Sequence, residues 1–145
     1  MAVGIQVTFD AGDAEALGRF WAEVLGYVQQ PPPDGHASWE AFLASVGVPE
    51  DERHDGYALV DPAGVGPRFL FQKVPEGKTA KNRMHLDVNV AADVPRGQRA
   101  DACRARAAEL VALGATQLAV FDGEEGPGSF WIVLADPEGN EFCLQ

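Results

Sequence analysis

The sequence contains few cysteines and no long apolar run. It has two cysteines, Cys103 and Cys143, and they form no CxxC or other metal-ligand spacing, so we expect reduced thiols rather than a disulfide. No window approaches the roughly 20 apolar residues that a membrane span requires. Residues 1–7 lack a basic segment followed by an apolar stretch, which predicts a cytoplasmic protein.

Basic residues are also scarce. The chain has 11 Lys and Arg residues and 22 Asp and Glu residues, and its formal net charge is -11. Such a surface repels phosphate backbones and anionic lipids, so neither nucleic acid nor a membrane is an expected partner. A local basic run at Lys78, Lys81 and Arg83 has two interpretations, a solvated linker and an anion site. Composition and length together predict one folded domain, residues 1–145.

The chain falls into two similar halves. Residues 3–9 and 84–90 alternate apolar and polar positions, which predicts a half-buried strand at the start of each half. A helix should follow each strand, with Asp13 and Asp101 as N-caps. The apolar stripes of these helices are Leu17, Phe20, Trp21, Val24 and Leu25 before Gly26, and Cys103, Ala107, Leu110, Val111 and Leu113 before Gly114.

Each half closes on the same turn motif. Asp-Pro-x-Gly occurs at residues 61–64 and at 136–139, where it favours a tight reversal between two strands. A strand should follow each turn, at residues 68–74 and 141–145. The two halves are therefore each predicted as a βαβββ module, and the fold class as α+β.

The first half carries extra residues between its helix and its hairpin. This insertion covers about residues 31–56, and Ser38 is the predicted N-cap of an added helix within it. Residues 75–83 link the modules, which are bounded as 1–74 and 84–145. The linker is too short to separate independent domains, so we expect the modules to share a core.

Three segments resemble a known family. They are FDAGDAEALGRFWAEVLGY at 9–27, GPRFLFQKVPEGKTAKNRMHLDV at 66–88 and WIVLADPEGNEFCL at 131–144. Together they resemble the glyoxalase/bleomycin-resistance/dioxygenase (vicinal oxygen chelate) superfamily, as a glyoxalase-like domain protein. The resemblance implies two βαβββ modules that form a paired, partly open barrel-like mixed sheet with helices outside and one small-molecule cavity within.

The resemblance also implies a metal site whose four ligands come from the first and last strands of the two modules. His85 and Glu141 match this pattern in the second module, and they suit Zn, Fe, Ni or Mn. The first module departs from it, because Gln6 or Thr8 stands at one position and Arg68, which cannot coordinate a metal, at the other.

Three interpretations of these residues stay open. One is a divalent metal held by His85, Glu141 and Gln6 with water. A second is a metal-free cavity in which Arg68 pairs with Glu141 or grips a substrate carboxylate. The third is a structural hydrogen-bonded pair. The expected cofactor is accordingly one divalent metal or none.

Several side chains are assigned roles under these interpretations. Glu141 is the expected general base, because an apolar cavity raises the proton affinity of a carboxylate. Asp87, two residues after His85, is expected to orient the imidazole. Trp131 and Tyr57 are expected to line the cavity with Arg68 and contact substrate, and Trp39 is a further candidate for the cavity mouth. Cys143 is interpreted as packing rather than as a nucleophile.

Two function hypotheses follow. The first is an enzyme, a glyoxalase-like lyase, isomerase or dioxygenase that acts on a small polar organic molecule, with or without a metal. The second is a metal-free protein of the bleomycin-resistance kind that binds or sequesters a small molecule or drug. The partner in both is a small-molecule ligand, and a homodimer is expected because two-fold dimers are the commonest assembly.

Overall fold

The computed structural model describes all 145 residues. The chain divides into two compact units, Met1–Gly77 and Lys78–Gln145. Each unit contains one four-stranded mixed sheet, and the chain has three α-helices in all. The predicted α+β class is confirmed. None of the helices combines the length and the apolar character that crossing a bilayer would require.

The N-terminal unit contains a βαβββ arrangement with an insertion. Its strands are β1 (Gln6–Ala11), β2 (Val28–Gln29), β3 (Gly56–Val60) and β4 (Arg68–Lys73). Its helices are α1 (Ala14–Leu25) and α2 (Trp39–Ser45), and a 3-10 turn covers Glu50–Glu52. The sheet order is β1-β4-β3-β2. β1 and β4 are parallel, and the other neighbours are antiparallel.

The C-terminal unit repeats this topology without the insertion. Its elements are β5 (Leu86–Val88), α3 (Arg99–Ala112), β6 (Thr116–Asp122), β7 (Phe130–Ala135) and β8 (Glu141–Leu144), with a 3-10 turn at Arg96–Gln98. The sheet order β5-β8-β7-β6 is the same order of equivalent strands, and β5 and β8 are again parallel. The predicted internal repeat is therefore confirmed.

The strand register aligns the two modules residue by residue. Gln6 is paired with Arg68 across β1 and β4. Leu86 is paired with Phe142 across β5 and β8, so the preceding residues, His85 and Glu141, face each other at the equivalent place. The register supports the sequence alignment that equated Arg68 with Glu141.

Helix α1 begins and ends where the sequence predicts. The Asp13 carboxylate accepts a hydrogen bond from the Ala16 N–H at 2.9 Å, and Gly26 ends the helix with φ 68°. A positive φ at this position favours glycine. On the buried stripe, Trp21 packs against Phe9 of β1 with ring centroids 5.0 Å apart, so the helix covers one face of the first sheet.

The turns and the inserted helix also match their sequence signals. In both hairpins the glycine N–H donates to the aspartate carbonyl at 2.9 Å, Gly64 to Asp61 and Gly139 to Asp136. In the insertion, the Ser38 hydroxyl accepts from the Ala41 N–H at 3.0 Å. Short-range hydrogen-bonding chemistry therefore determines these boundaries.

The predicted start of helix α3 is wrong. Asp101 lies inside the first turn rather than at the N-cap, because a 3-10 turn after Pro95 leads directly into a helix that begins at Arg99. The inward stripe is also narrower than expected. Cys103, Ala107 and Leu110 are buried, whereas Val111 and Leu113 are exposed.

The first strand of each module begins later than predicted. β1 begins at Gln6 and β5 at Leu86, so Val3, Ile5 and Met84 precede them and are exposed. In the first sheet the cause lies in the partner strand, because β4 begins at Arg68 opposite Gln6 and residues before Gln6 have no strand to pair with.

Candidate functional site

The N-terminal unit contains a pocket of about 570 Å³ bounded by β3, β4 and the insertion. This volume is within the range of small-molecule sites. Its wall combines apolar and aromatic side chains with charged ones. The apolar and aromatic part includes Pro31, Pro32, Trp39, Leu43, Tyr57 and Leu70.

Arg68 lies in this wall and is half-buried. Its Nε donates to Gln30 Oε1 at 2.6 Å, and its Nη1 donates to Gln6 Oε1 at 2.6 Å. Both acceptors are neutral amides, so they orient the guanidinium without neutralising its charge. Nη2 keeps its donors for another acceptor, because a guanidinium has five N–H groups in a fixed fork.

Four other charged or titratable side chains of the pocket, Glu15, Glu40, Arg53 and His54, have charged partners close by, and Glu52 adds a third carboxylate to the wall. Arg53 Nη1 lies 2.8 Å from Glu40 Oε1, and Glu15 accepts from Arg19 at 2.6 Å. Arg53 also donates to the Val48 carbonyl. Arg68 therefore differs from Arg53, because its cationic group has no carboxylate bound to it.

Tyr57 lines the pocket from β3 and contacts helix α1. Its ring approaches Gly18 so closely that a Cβ at that position would overlap Cδ1. Burial raises the pKa of Tyr57, an effect that the Arg19 guanidinium reduces and Glu15 reinforces. The ring therefore belongs partly to the packing of the helix on the sheet and partly to the pocket wall.

A second aromatic residue, Trp39, lines the pocket; like Tyr57, it was expected at a cavity mouth. Its indole Nε1 donates to the Gln30 carbonyl at 2.7 Å, which ties the first residue of α2 to the segment after β2. Gln30, in contrast, had no predicted role. The only sequence signal for Gln30 is a polar side chain directly after β2. The fold is what brings this side chain to Arg68.

The C-terminal unit holds the other predicted site residues. Trp131 is half-buried on β7 and stacks on its cross-strand partner Phe121, with centroids 4.9 Å apart. Strand alternation and register place Trp131, Cys143 and Glu141 on the same side of the second sheet.

Glu141 is engaged by polar residues of the linker. Its carboxylate forms an ion pair with Lys81 and is 21% exposed at the side chain. Its backbone N–H donates to Asn82 Oδ1 at 3.3 Å. The basic run that includes Lys81 therefore contacts an expected catalytic residue.

Three other side chains of the C-terminal unit that could bind a metal, His85, Asp87 and Cys143, lie close together. His85 Nε2 lies 3.3 Å from Asp87 Oδ1, which places Asp87 where it can orient the imidazole. Donor atoms of His85, Asp87 and Cys143 all lie within 4.8 Å of one another. Burial, reinforced by Asp87, raises the pKa of Cys143 to about 11.

The expected metal ligands differ in how available their donor atoms are for a metal. Gln6 Oε1 accepts from Arg68, and the Glu141 carboxylate pairs with Lys81, so a cationic group competes for each of these oxygens. His85 instead lies within a group that offers nitrogen, oxygen and sulfur donors. That donor set is chemically suited to a borderline metal such as zinc.

The sequence model of the Glyoxalase-like domain family matches residues 6–145. The chain therefore belongs to this family, and the resemblance to the vicinal oxygen chelate superfamily is confirmed. No curated protein matches the sequence.

Solved structures of this superfamily share the fold at low sequence identity. A glyoxalase/bleomycin resistance protein/dioxygenase family enzyme from Burkholderia phytofirmans PsJN is 18% identical with a TM-score of 0.58, over 96% of this chain and 94% of that one. The fosfomycin resistance protein FosX from Mesorhizobium loti is 17% identical with a TM-score of 0.59, over 100% and 92%.

A third neighbour was crystallised with ligands. A mutant of FosX from Listeria monocytogenes, complexed with Mn(II) and 1S,2S-dihydroxypropylphosphonic acid, is 11% identical with a TM-score of 0.59, over 100% of this chain and 92% of that one. At these identities the likeness concerns the fold.

Proposed function

We propose that this protein binds a small organic anion, a carboxylate or phosphonate attached to an apolar or aromatic body, in the pocket of the N-terminal unit. The observation that carries the proposal is Arg68, a half-buried guanidinium in the pocket wall whose partners are two neutral amides. An anionic ligand would accept from the remaining donors of the fork, as carboxylates and phosphates commonly do.

The apolar and aromatic part of the wall supports an organic anion over an inorganic one. Trp39, Tyr57, Leu43 and Leu70 offer apolar area in the pocket that Arg68 also lines, and burial of apolar ligand surface contributes about 25 cal/mol per Å². The net charge of -11 does not attract anions at long range. Selection therefore depends on short-range hydrogen bonds and shape.

The test compares two carboxylates with their neutral amides, which have the same shape, and adds one phosphonate. The full chain is titrated calorimetrically with benzoate, indole-3-acetate and fosfomycin, and with benzamide and indole-3-acetamide as neutral counterparts. We expect an anionic probe to bind and its amide to bind at least about 10-fold more weakly, since loss of a charged partner costs about 2 kcal/mol or more. Bound probe should also raise Tm by mass action.

Two variants locate the site. Arg68→Gln should abolish the preference for the anion, whereas Lys73→Gln, the same change of charge at an exposed position of β4, should leave it intact. Equal binding of acid and amide, or full binding by Arg68→Gln, would contradict the proposal.

The second candidate function is metal-assisted catalysis on a small polar molecule. It is favoured by His85, which stands at the position equivalent to Gln6 and beside other donors, and by the Mn(II) complex of one FosX neighbour. In this candidate His85 and Glu141 are the proposed ligands or proton-transfer groups, and Trp131 contacts substrate.

Product analysis separates the two functions. Any probe that binds is incubated with the protein, with and without Zn²⁺ or Mn²⁺, and followed by NMR. An unchanged probe supports binding or sequestration, and a metal-dependent product that Glu141→Gln does not form supports the enzyme. The homodimer and the cytoplasmic location stay predictions, and light scattering after gel filtration tests the first.

A further inference from the structure

The strand pairing of the C-terminal unit brings three different metal-binding side chains together. His85 and Asp87 are two residues apart at the start of β5, so an extended chain directs both to the same side. Asp87 is the direct register partner of Cys143 on β8. This explains why their donor atoms all lie within 4.8 Å of one another.

We propose that His85, Asp87 and Cys143 form a zinc site with one open coordination position. Imidazole nitrogen, carboxylate oxygen and thiolate sulfur are all zinc ligands, and the Cys143 thiol would release its proton to solvent on coordination. The thiolate disfavours Mg²⁺, Ca²⁺ and Mn²⁺. The proposal goes beyond the binding of an organic anion at Arg68 and uses none of the residues of that pocket.

The three donor atoms would have to move only a short distance to coordinate one zinc ion. Zinc bonds of about 2.0–2.3 Å in tetrahedral geometry separate neighbouring donor atoms by about 3.5 Å. The observed limit of 4.8 Å requires the side chains to converge by little more than about 1 Å. His85 and Asp87 are about half exposed at the side chain, so rotamer changes can supply this movement.

The charge around the three side chains favours binding of a cation, and their exposure leaves one coordination position of that cation open to solvent. Cys143 is 8% exposed and forms the buried side of the group, while His85 and Asp87 form its open side. The nearby charged groups are Asp87, Glu141 and Lys81, so two carboxylates outnumber one ammonium. Three protein ligands with solvent at the fourth position are typical of zinc sites that bind a substrate or water.

The test uses Co²⁺ as a spectroscopic substitute for zinc on the full chain without an affinity tag. One equivalent should produce a thiolate-to-cobalt charge-transfer band, and Zn²⁺ should remove it. Cys143→Ala should lack the band, whereas Cys103→Ala, which removes the other buried thiol, should retain it. A missing band in the wild type, or its persistence in Cys143→Ala, would overturn the site.

Two further variants define the other ligands and guard against misfolding. Asp87→Asn and His85→Gln change half-exposed side chains and should keep the apo circular dichroism spectrum and Tm. Loss of a residue that only supports a metal ligand typically weakens metal binding by roughly 10–100-fold. Each of these variants should weaken Zn²⁺ binding by more than that. Glu141→Gln should retain the band, which distinguishes this site from a centre that uses Glu141 as a ligand. Loss of the band in Glu141→Gln together with full affinity in Asp87→Asn would refute this ligand set.

Discussion

The guanidinium of Arg68 and the side-chain amide of Gln6 meet across the parallel strands β1 and β4, with 2.6 Å between Nη1 and Oε1. The equivalent positions of the second module hold Glu141 and His85. There the carboxylate pairs with Lys81 and the imidazole with Asp87. The two modules share one topology but differ in chemistry at the same register position. The first module holds an oriented guanidinium there, and the second holds side chains of the kinds that bind metals.

The orientation of Arg68 by Gln30 is open to a direct test. Gln30→Leu removes the acceptor of the Arg68 Nε bond, and we expect the free energy of unfolding to fall by about 1 kcal/mol. A double-mutant cycle with Arg68→Met, measured by urea unfolding, should give a coupling energy of similar size. Gln29→Leu, the neighbouring exposed amide, is the control and should change stability by less than about 0.5 kcal/mol. Zero coupling would show that the bond does not hold Arg68.

Gly18 is required by the ring that covers it. In Gly18→Ala the new methyl group would overlap Tyr57, and overpacking of this kind costs about 1–3 kcal/mol. This outweighs the gain of about 1 kcal/mol from replacing a helical glycine with alanine. We therefore expect a net loss of stability in the wild-type background, read from thermal and urea unfolding.

The same substitution should have the opposite sign when the ring is absent. In a Tyr57→Ala background the methyl group has space, and only the helix-propensity term remains. Gly18→Ala should then stabilise the protein. Destabilisation of equal size in both backgrounds would mean that the contact with Tyr57 is not the cause.

The two aspartates predicted as helix caps should now behave differently. Asp13→Ala removes the acceptor for the Ala16 N–H, which typically costs about 1 kcal/mol. Asp101→Ala removes a carboxylate from the first turn of α3 without removing a cap, so only the helix-dipole contribution of about 0.3–1 kcal/mol is lost. Urea unfolding of the two variants should rank Asp13→Ala as more destabilised, and the reverse order would contradict the assigned caps.

These cases show which features of the fold the sequence predicts well. Asp13, Ser38 and the two Asp-Pro-x-Gly turns are recognisable because each residue bonds within a few positions of itself. Asp101 has the same residue type but the chain before it already turns after Pro95, which the apolar periodicity does not reveal. Val3 and Ile5 alternate like a strand, and only the length of the partner β4 ends the pairing at Gln6.

The candidate sites were less predictable because they depend on pairing between distant strands. His85 was identified from the family resemblance and Asp87 from its place two residues later, but the addition of Cys143 requires the β5–β8 register. Likewise, Gln30 lies 38 residues from Arg68 in the sequence, and no local pattern joins them. The pairing of Lys81 with Glu141 spans 60 positions. Residue types therefore indicated the chemistry, while the fold selected the partners.

The two tyrosines, Tyr27 and Tyr57, should titrate above their ordinary range. Burial is the main cause of the raised pKa of both, with Asp61 adding to it at Tyr27 and the Arg19 guanidinium opposing it at Tyr57. Since the folded pKa exceeds the unfolded value of about 10, the stabilisation linked to the neutral phenols is complete below that pH. It is lost as the pH rises through the folded pKa.

Ultraviolet absorption of the phenolate checks this expectation. The native protein should develop the band at higher pH than the same chain unfolded in urea, and stability should fall over that interval. Tyr27→Phe and Tyr57→Phe should each remove about half of the amplitude, because the chain has two tyrosines. The remaining tyrosine in each variant should still titrate late. A native midpoint at or below that of the unfolded chain would show that neither phenol is desolvated as the structure places it.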